Sequence, residues 1–353
     1  MPDRHVTIIA EVGVNHDGSM DRARELVRAA AATGADAVKF QTFRGSSVVR
    51  RDAQKARYQL RTTDSGESQL AMLQRLELSF EDQVALQEQC TGAGVEFLST
   101  PFDVASLESL VTLGVSTLKL SSGDLTNEIL LRAAARSRLQ LIISTGMATL
   151  GEVEWALGTV ASEHLDIADP AEALAKALAG DAFRRRVTIL HCTTEYPAPP
   201  IEVNLRAIET MRRAFGLPVG YSDHTVGLAI PVAAVALGAT VIEKHFTLDR
   251  TLPGPDHEAS TEPDEFKRMV EEIRMVEAAL GTGVKLPTRS EWENRQRVRR
   301  SLVAKVAIRA GEPFTPENLD AKRPADRVPA SRYGELLGRI ADRDYHPDEP
   351  IDG

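Results

Sequence analysis

Five short apolar runs in this chain of 353 residues each end in a burst of polar residues. They are Ile9-Ala10-Glu11 with Asn15-His16, Val38-Lys39-Phe40-Gln41, Leu118-Lys119-Leu120-Ser121-Ser122, Tyr221-Ser222-Asp223-His224 and Ile242-Glu243-Lys244-His245. Burying an ammonium without an anion costs several kcal/mol. Lys39 and Lys119 therefore need either a strand glutamate, such as Glu11 or Glu243, or an anionic ligand. Ser99, Thr100, Ser121, Ser122 and Ser144 fall at the same level of neighbouring runs. Lysines ringed by hydroxyls can cradle a phosphate and a carboxylate. His224 and His245 end two successive runs, and two neutral imidazoles with open positions suit Mn²⁺, Mg²⁺ or Zn²⁺. His191 sits earlier in its run and reads as structural. Asp256, in the turn Pro253-Gly254-Pro255-Asp256-His257, is either a turn cap or a contact to a sugar hydroxyl. The set suits a phosphorylated anion plus a divalent metal.

The elements that must position these groups alternate strictly. Strands are predicted at 6–14, 37–43, 95–101, 117–120, 139–144, 187–192, 219–222 and 240–245. Helices are predicted at 21–33, 80–91, 104–113, 127–136, 150–161, 204–215, 227–237 and 263–280. Such alternation implies a parallel sheet, and nearly continuous apolar strands imply burial on both faces. Eight units over this length predict a closed TIM (βα)8 barrel, whose catalytic groups sit at the C-terminal strand ends. An open doubly wound sheet would want a Gly-rich dinucleotide loop after its first strand. Gly13-Val14-Asn15-His16-Asp17-Gly18 is not that loop.

Two insertions interrupt the alternation. Residues 44–78 follow strand two on the catalytic face, where long loops carry function. Residues 166–186 are Ala-rich and helical in pattern, and precede strand six on the opposite face. The barrel domain is expected to end at 281. Residues 282–300 read as a polar linker, and 301–353 as a small β-rich domain punctuated by Gly311, Pro313, Pro316, Pro324, Pro347 and Pro350. A unit that small is marginal alone and should dock on the barrel or a partner subunit.

Formal net charge is −9, so a nucleic-acid partner has no electrostatic footprint. The two cysteines, Cys90 and Cys192, form no metal spacing and no disulfide framework, and read as buried thiols. No run approaches the ~20 apolar residues that span a bilayer. The first ten residues lack the basic and apolar regions of a signal peptide. A cytoplasmic enzyme with no membrane partner is the expectation.

Nine of these segments, in register, resemble the sialic acid synthase family, also called the N-acylneuraminate or nonulosonate synthases. They are Ala10-Glu11-Val12-Gly13-Val14-Asn15-His16-Asp17-Gly18, Val38-Lys39-Phe40-Gln41-Thr42-Phe43, Ser99-Thr100-Pro101-Phe102-Asp103, Lys119-Leu120-Ser121-Ser122-Gly123-Asp124 and Ser144-Thr145-Gly146-Met147. They continue with His191-Cys192-Thr193-Thr194-Glu195-Tyr196-Pro197, Tyr221-Ser222-Asp223-His224, Glu243-Lys244-His245-Phe246-Thr247 and Gly254-Pro255-Asp256. The C-terminal stretch, with Lys322-Arg323-Pro324, is similar to the family's antifreeze-like SAF domain of β-clip type.

The resemblance implies condensation of phosphoenolpyruvate with an open-chain N-acylated hexosamine, N-acetylmannosamine in the first instance. The products are a nonulosonic acid and phosphate, released by C–O cleavage. It implies Mn²⁺ (or Mg²⁺ or Co²⁺) on His224 and His245, polarising the sugar aldehyde. Lys39, Lys119, Thr100, Ser122 and Ser144 would hold phosphoenolpyruvate, and Glu11 would position or activate water. Gln41, Asp124, Tyr196 and Asp256 would hold the sugar, with Phe102, Thr194 and Ser222 as further substrate-contact positions. Arg323 would reach the sugar's N-acyl group from a second subunit, in a domain-swapped homodimer.

Asp124 stands where a longer Glu often appears, and Thr194 where an Asn can occur. Both positions bear on the identity of the sugar. Legionaminic and pseudaminic acid synthases share the scaffold and take diacetamido-trideoxyhexoses. The Thr-Thr-Glu-Tyr-Pro stretch is more similar to the N-acetylneuraminate and legionaminate branch. A 3-deoxy-heptulosonate type of condensing enzyme is a further alternative and would need an acceptor phosphate site. An ice-binding role for the C-terminal domain conflicts with Lys322, Arg323, Arg327, Arg332, Arg339 and Arg343.

Overall fold

The computed structural model describes residues 5–55, 63 and 66–352. The chain divides into two compact units, Met1–Gly281 and Thr282–Gly353. The first is the TIM-like (βα)8 unit. Its strands are β1 (Thr7–Gly13), β2 (Ala37–Thr42), β3 (Glu96–Pro101), β4 (Thr117–Leu120), β5 (Gln140–Ser144), β6 (Val187–Cys192), β7 (Val219–Asp223) and β8 (Val241–His245). All are parallel, and the order β3-β2-β1-β8-β7-β6-β5-β4 brings β1 beside β8. Only the β3–β4 seam lacks a backbone ladder among the described residues. There Glu96 accepts hydrogen bonds from the Ser116 and Thr117 hydroxyls.

Period-two alternation decides what each strand offers to the interior. Ile9, Ala37, Leu98, Ile142, Leu190 and Val241 form an apolar plug. The next residues of the same parity, towards the C-terminal ends, are Glu11, Lys39, Thr100, Ser144, Cys192 and Glu243. The interior therefore changes from hydrocarbon to charge within two residues of each strand. The opposite faces of the strands pack on the surrounding helices in one large apolar core. Several helices start on a side-chain cap: Ser79 with Asp82, and Thr149 with Glu152, form reciprocal capping boxes.

The 44–78 insertion holds the helices Gly45–Val48 and Gln69–Arg75. Residues 56–62, 64 and 65 of that insertion lie outside the described residues. The 166–186 insertion holds the helices Pro170–Ala179 and Asp181–Arg186. No helix among the described residues is long and apolar enough to cross a membrane.

The second unit pairs β9 (Ser301–Ala304) antiparallel with β10 (Leu319–Lys322) around a core that includes Leu302, Ile308, Phe314, Tyr345 and Ile351. The stretch 282–300 carries a helix, Arg289–Val298, capped by Thr288 and Glu291, and groups with this unit. Arg323 follows β10 and is exposed.

Candidate active site

A cavity of about 740 Å³ opens at the C-terminal ends of the strands of the first unit. Strand register assembles its floor. Glu11 lies between Lys39 of β2 and His245 of β8, and Ser222 of β7 lies beside Glu243. The Lys39 ammonium is 2.7 Å from the Glu11 carboxylate and 3.7 Å from that of Glu243. Lys119 approaches Glu243 at 3.5 Å from the other side. Ser222 donates to Glu243 at 2.8 Å, and Lys39 donates to Thr100 at 3.0 Å. Two ammoniums and two carboxylates thus share one buried array. The ion-pair and anion-ligand readings of the lysines are compatible: the glutamates hold the ammoniums in place at the cavity wall.

This environment separates the two carboxyls. Burial raises Glu11, and Lys39 only partly offsets it, so its pKa stays above the carboxylate range. Burial also acts on Glu243, but the attraction of Lys119 and Lys39 outweighs it and holds that carboxyl low. Burial would depress Lys39; Glu11 and Glu243 override this and hold it above the usual lysine value. Burial wins at Lys119, which lies below it.

The histidines lie on the same floor. Their ring centroids are 5.6 Å apart, and the Tyr196 ring lies 4.2 Å from that of His224 and edge-on to that of His245. His224 Nδ1 donates to the Thr193 carbonyl at 2.6 Å, which leaves Nε2 as the lone-pair nitrogen. His245 Nδ1 is buried without a hydrogen-bond partner, 4.0 Å from the Asp256 carboxylate. Burial lowers both imidazoles below their ordinary value, so both are neutral at pH 7. No three His, Cys, Asp or Glu side chains among the described residues converge on one point. The pair fits an ion that takes its other ligands from water and substrate.

Gln41, Phe102, Ser122, Ser144, Thr194 and Asp256 also line the cavity. The Ser144 and Thr194 hydroxyls are buried without a hydrogen-bond partner. Gly146 lets the floor close: an added Cβ would lie 2.8 Å from the Ser122 hydroxyl and 2.9 Å from Cys192 Sγ. Two of the expected substrate-contact residues are not among those that line this cavity. Asp124 is not among the lining residues; its carboxylate accepts from Ser121 at 2.6 Å and Asn127 at 3.0 Å. Arg323 belongs to the second unit. His191 bonds the Val203 carbonyl, as a structural histidine would. The sequence reading took Glu243 as an ion-pair partner for the lysines rather than as a site residue, and missed Cys192 as a lining residue; each shares inward parity with a neighbour it had singled out.

Burial pushes the Asp256 carboxyl up to about 6 from 3.8, with His257 and Lys39 opposing and Asp17 adding. The native state therefore binds this proton more tightly than the unfolded chain. Its contribution is fully present below the unfolded value and is lost as pH rises through about 6. Asp256→Asn should stabilise the metal-free protein by about 2 kcal/mol more at pH 8 than at pH 4. Urea unfolding at the two pH values checks this; an equal effect at both would contradict it.

A parallel barrel whose strand ends gather two lysines, two glutamates and two neutral histidines around one cavity has the layout of an enzyme. The family comparison gives that class its name. Residues 26–285 match the NeuB family and residues 299–353 the SAF domain, so the chain belongs to the NeuB family and carries its SAF domain. It is 47% identical to the N,N'-diacetyllegionaminic acid synthase of Campylobacter jejuni, over 98% of both chains. It is 44% identical to the N,N'-diacetyllegionaminic acid synthase of Legionella pneumophila, over 94% of this chain and 89% of that one. Among solved structures it is similar to an N-acetylneuraminic acid synthetase from Leptospira borgpetersenii, with a TM-score of 0.67 and 36% identity, over 82% of this chain and 90% of that one.

Proposed function

We propose that this enzyme condenses phosphoenolpyruvate with 2,4-diacetamido-2,4,6-trideoxymannose to give a diacetylated nonulosonic acid, of the legionaminic type, and phosphate. The observation that carries the reaction is the lysine–glutamate array at the cavity floor. The acceptor rests on the similarity to two diacetyllegionaminic acid synthases over nearly the whole chain, which favours this sugar over N-acetylmannosamine.

In this reading Lys39, Lys119, Thr100, Ser122 and Ser144 bind the phosphate and carboxylate of phosphoenolpyruvate. A divalent ion on His224 and His245, when bound, supplies Lewis-acid polarisation of the acceptor aldehyde. Gln41, Tyr196 and Asp256 orient the acceptor against the enol. C3 of phosphoenolpyruvate forms the new bond to the aldehyde carbon, and the aldehyde oxygen takes up a proton. Water adds at the cationic C2 and loses a proton. The C2–O bond to phosphate then breaks as the remaining C2 hydroxyl proton passes to the departing phosphate, leaving the keto acid and inorganic phosphate. Glu11, as the carboxylate paired with Lys39, would accept the proton from that water. Phosphoenolpyruvate labelled with ¹⁸O in the bridging position should yield labelled phosphate. Unlabelled phosphate would contradict C–O cleavage.

The homodimer belongs to the same proposal, with Arg323 of one copy reaching the acceptor's acyl group in the cavity of the other. Arg323→Ala should then raise the acceptor KM about tenfold or more and leave the phosphoenolpyruvate KM unchanged. Equal effects on both would argue against that contact.

A further inference from the structure

The insertion after β2 contributes Val48, Val49, Gln69, Met72, Leu73 and Leu76 to the cavity. Five of these side chains are hydrocarbon or thioether and one is an amide. None carries a charge or a hydroxyl. The Gln69 amide oxygen is buried and has no hydrogen-bond partner. A buried carbonyl oxygen left unpaired costs free energy that a donor on a ligand would restore.

This wall is built rather than incidental. Met72 and Leu76 pack with Val14 and Phe43, with Phe102 against the same cluster. Phe43 and Phe102 meet edge to face at 6.0 Å. Helix Gln69–Arg75 sits directly on the backbone of Gly45, where an added Cβ would be 3.1 Å from Leu73 Cβ and 3.2 Å from the Gln74 nitrogen. Glu77 accepts from the Gly45 N–H at 2.7 Å and pairs with Arg44 at 3.1 Å. The helix position is fixed by these contacts.

The chemistry of the wall selects among acceptors. The reacting aldehyde must reach the charged floor, so the groups that meet the insertion are those on the distal carbons. A distal hydroxyl or hydroxymethyl would be desolvated against five apolar side chains that offer it nothing. An acylamino N–H would satisfy the Gln69 oxygen, and its methyl and a terminal deoxy methyl would pack on Val48, Val49 and Leu73. We infer that the insertion wall is the subsite that selects a second acylamino group and a terminal methyl on the acceptor, with Gln69 accepting from the amide N–H. This inference rests on the proposed condensation and names the residues that set its acceptor.

The test compares wild type, Gln69→Leu and Leu73→Ser. Each is assayed with 2,4-diacetamido-2,4,6-trideoxymannose and with N-acetylmannosamine, and the phosphoenolpyruvate KM is measured in parallel. Gln69→Leu should lower kcat/KM for the diacetamido sugar about tenfold and leave N-acetylmannosamine and the phosphoenolpyruvate KM unmoved. Leu73→Ser should narrow the gap by improving N-acetylmannosamine. Wild-type turnover of the diacetamido sugar with an unchanged acceptor ratio in both variants would overturn the subsite and leave the condensation standing. Equal losses on both acceptors would overturn it too, since they would report packing. A wild type active only with N-acetylmannosamine would overturn the acceptor reading and the subsite with it.

Discussion

Lys39→Met should lower kcat/KM for phosphoenolpyruvate by about 10³-fold or more, the scale of losing a preorganised charge at a desolvated site. The ammonium it removes is paired with Glu11 at 2.7 Å and reaches Glu243 at 3.7 Å. Without it, two carboxylates face each other with Lys119 alone to offset them. Breaking a buried pair by removing one partner costs about 3–5 kcal/mol. Glu11 can moderate this by keeping a proton, since burial has already raised it. The double variant Lys39→Met/Glu11→Gln should therefore recover most of the stability and none of the turnover. Denaturant unfolding and steady-state kinetics on the two variants separate the effects. If the double variant recovered activity along with stability, the lysine would be a structural partner only.

His245→Ala should abolish divalent-ion stimulation and lower turnover at saturating Mn²⁺ by about 10³-fold. The ring nitrogen it removes is buried and unpartnered, beside a second neutral imidazole whose tautomer is set by the Thr193 carbonyl. His191 is the internal control, because its ring bonds the Val203 carbonyl. His191→Ala should cost stability and leave the metal titration unchanged. Wild-type activity in His245→Ala would remove the ligand assignment.

The barrel was legible because its strands are nearly continuous apolar runs, buried on both faces, with helical patterns between them. The lysines and histidines were legible because charge at the end of such a run demands an explanation. Glu243 was harder to place. It read as a possible ion-pair partner, yet inward parity with His245, two residues on, puts it between both lysines. Asp124 shows the opposite limit. Its motif suggests a sugar contact, but the tight turn at Ser122–Asp124 folds the carboxylate back onto Ser121 and Asn127. The wall carrying Gln69 could not be read from the 44–78 stretch. It exists only where that helix packs on Gly45 and the cluster around Phe43 and Phe102.

The most direct measurement is phosphate release from phosphoenolpyruvate with Mn²⁺, with no acceptor, with 2,4-diacetamido-2,4,6-trideoxymannose and with N-acetylmannosamine. The proposed function predicts release that depends on an acceptor and is fastest with the diacetamido sugar. Release with N-acetylmannosamine alone would move the enzyme to the N-acetylneuraminate branch. Acceptor-independent release, or none with either sugar, would contradict the condensation itself.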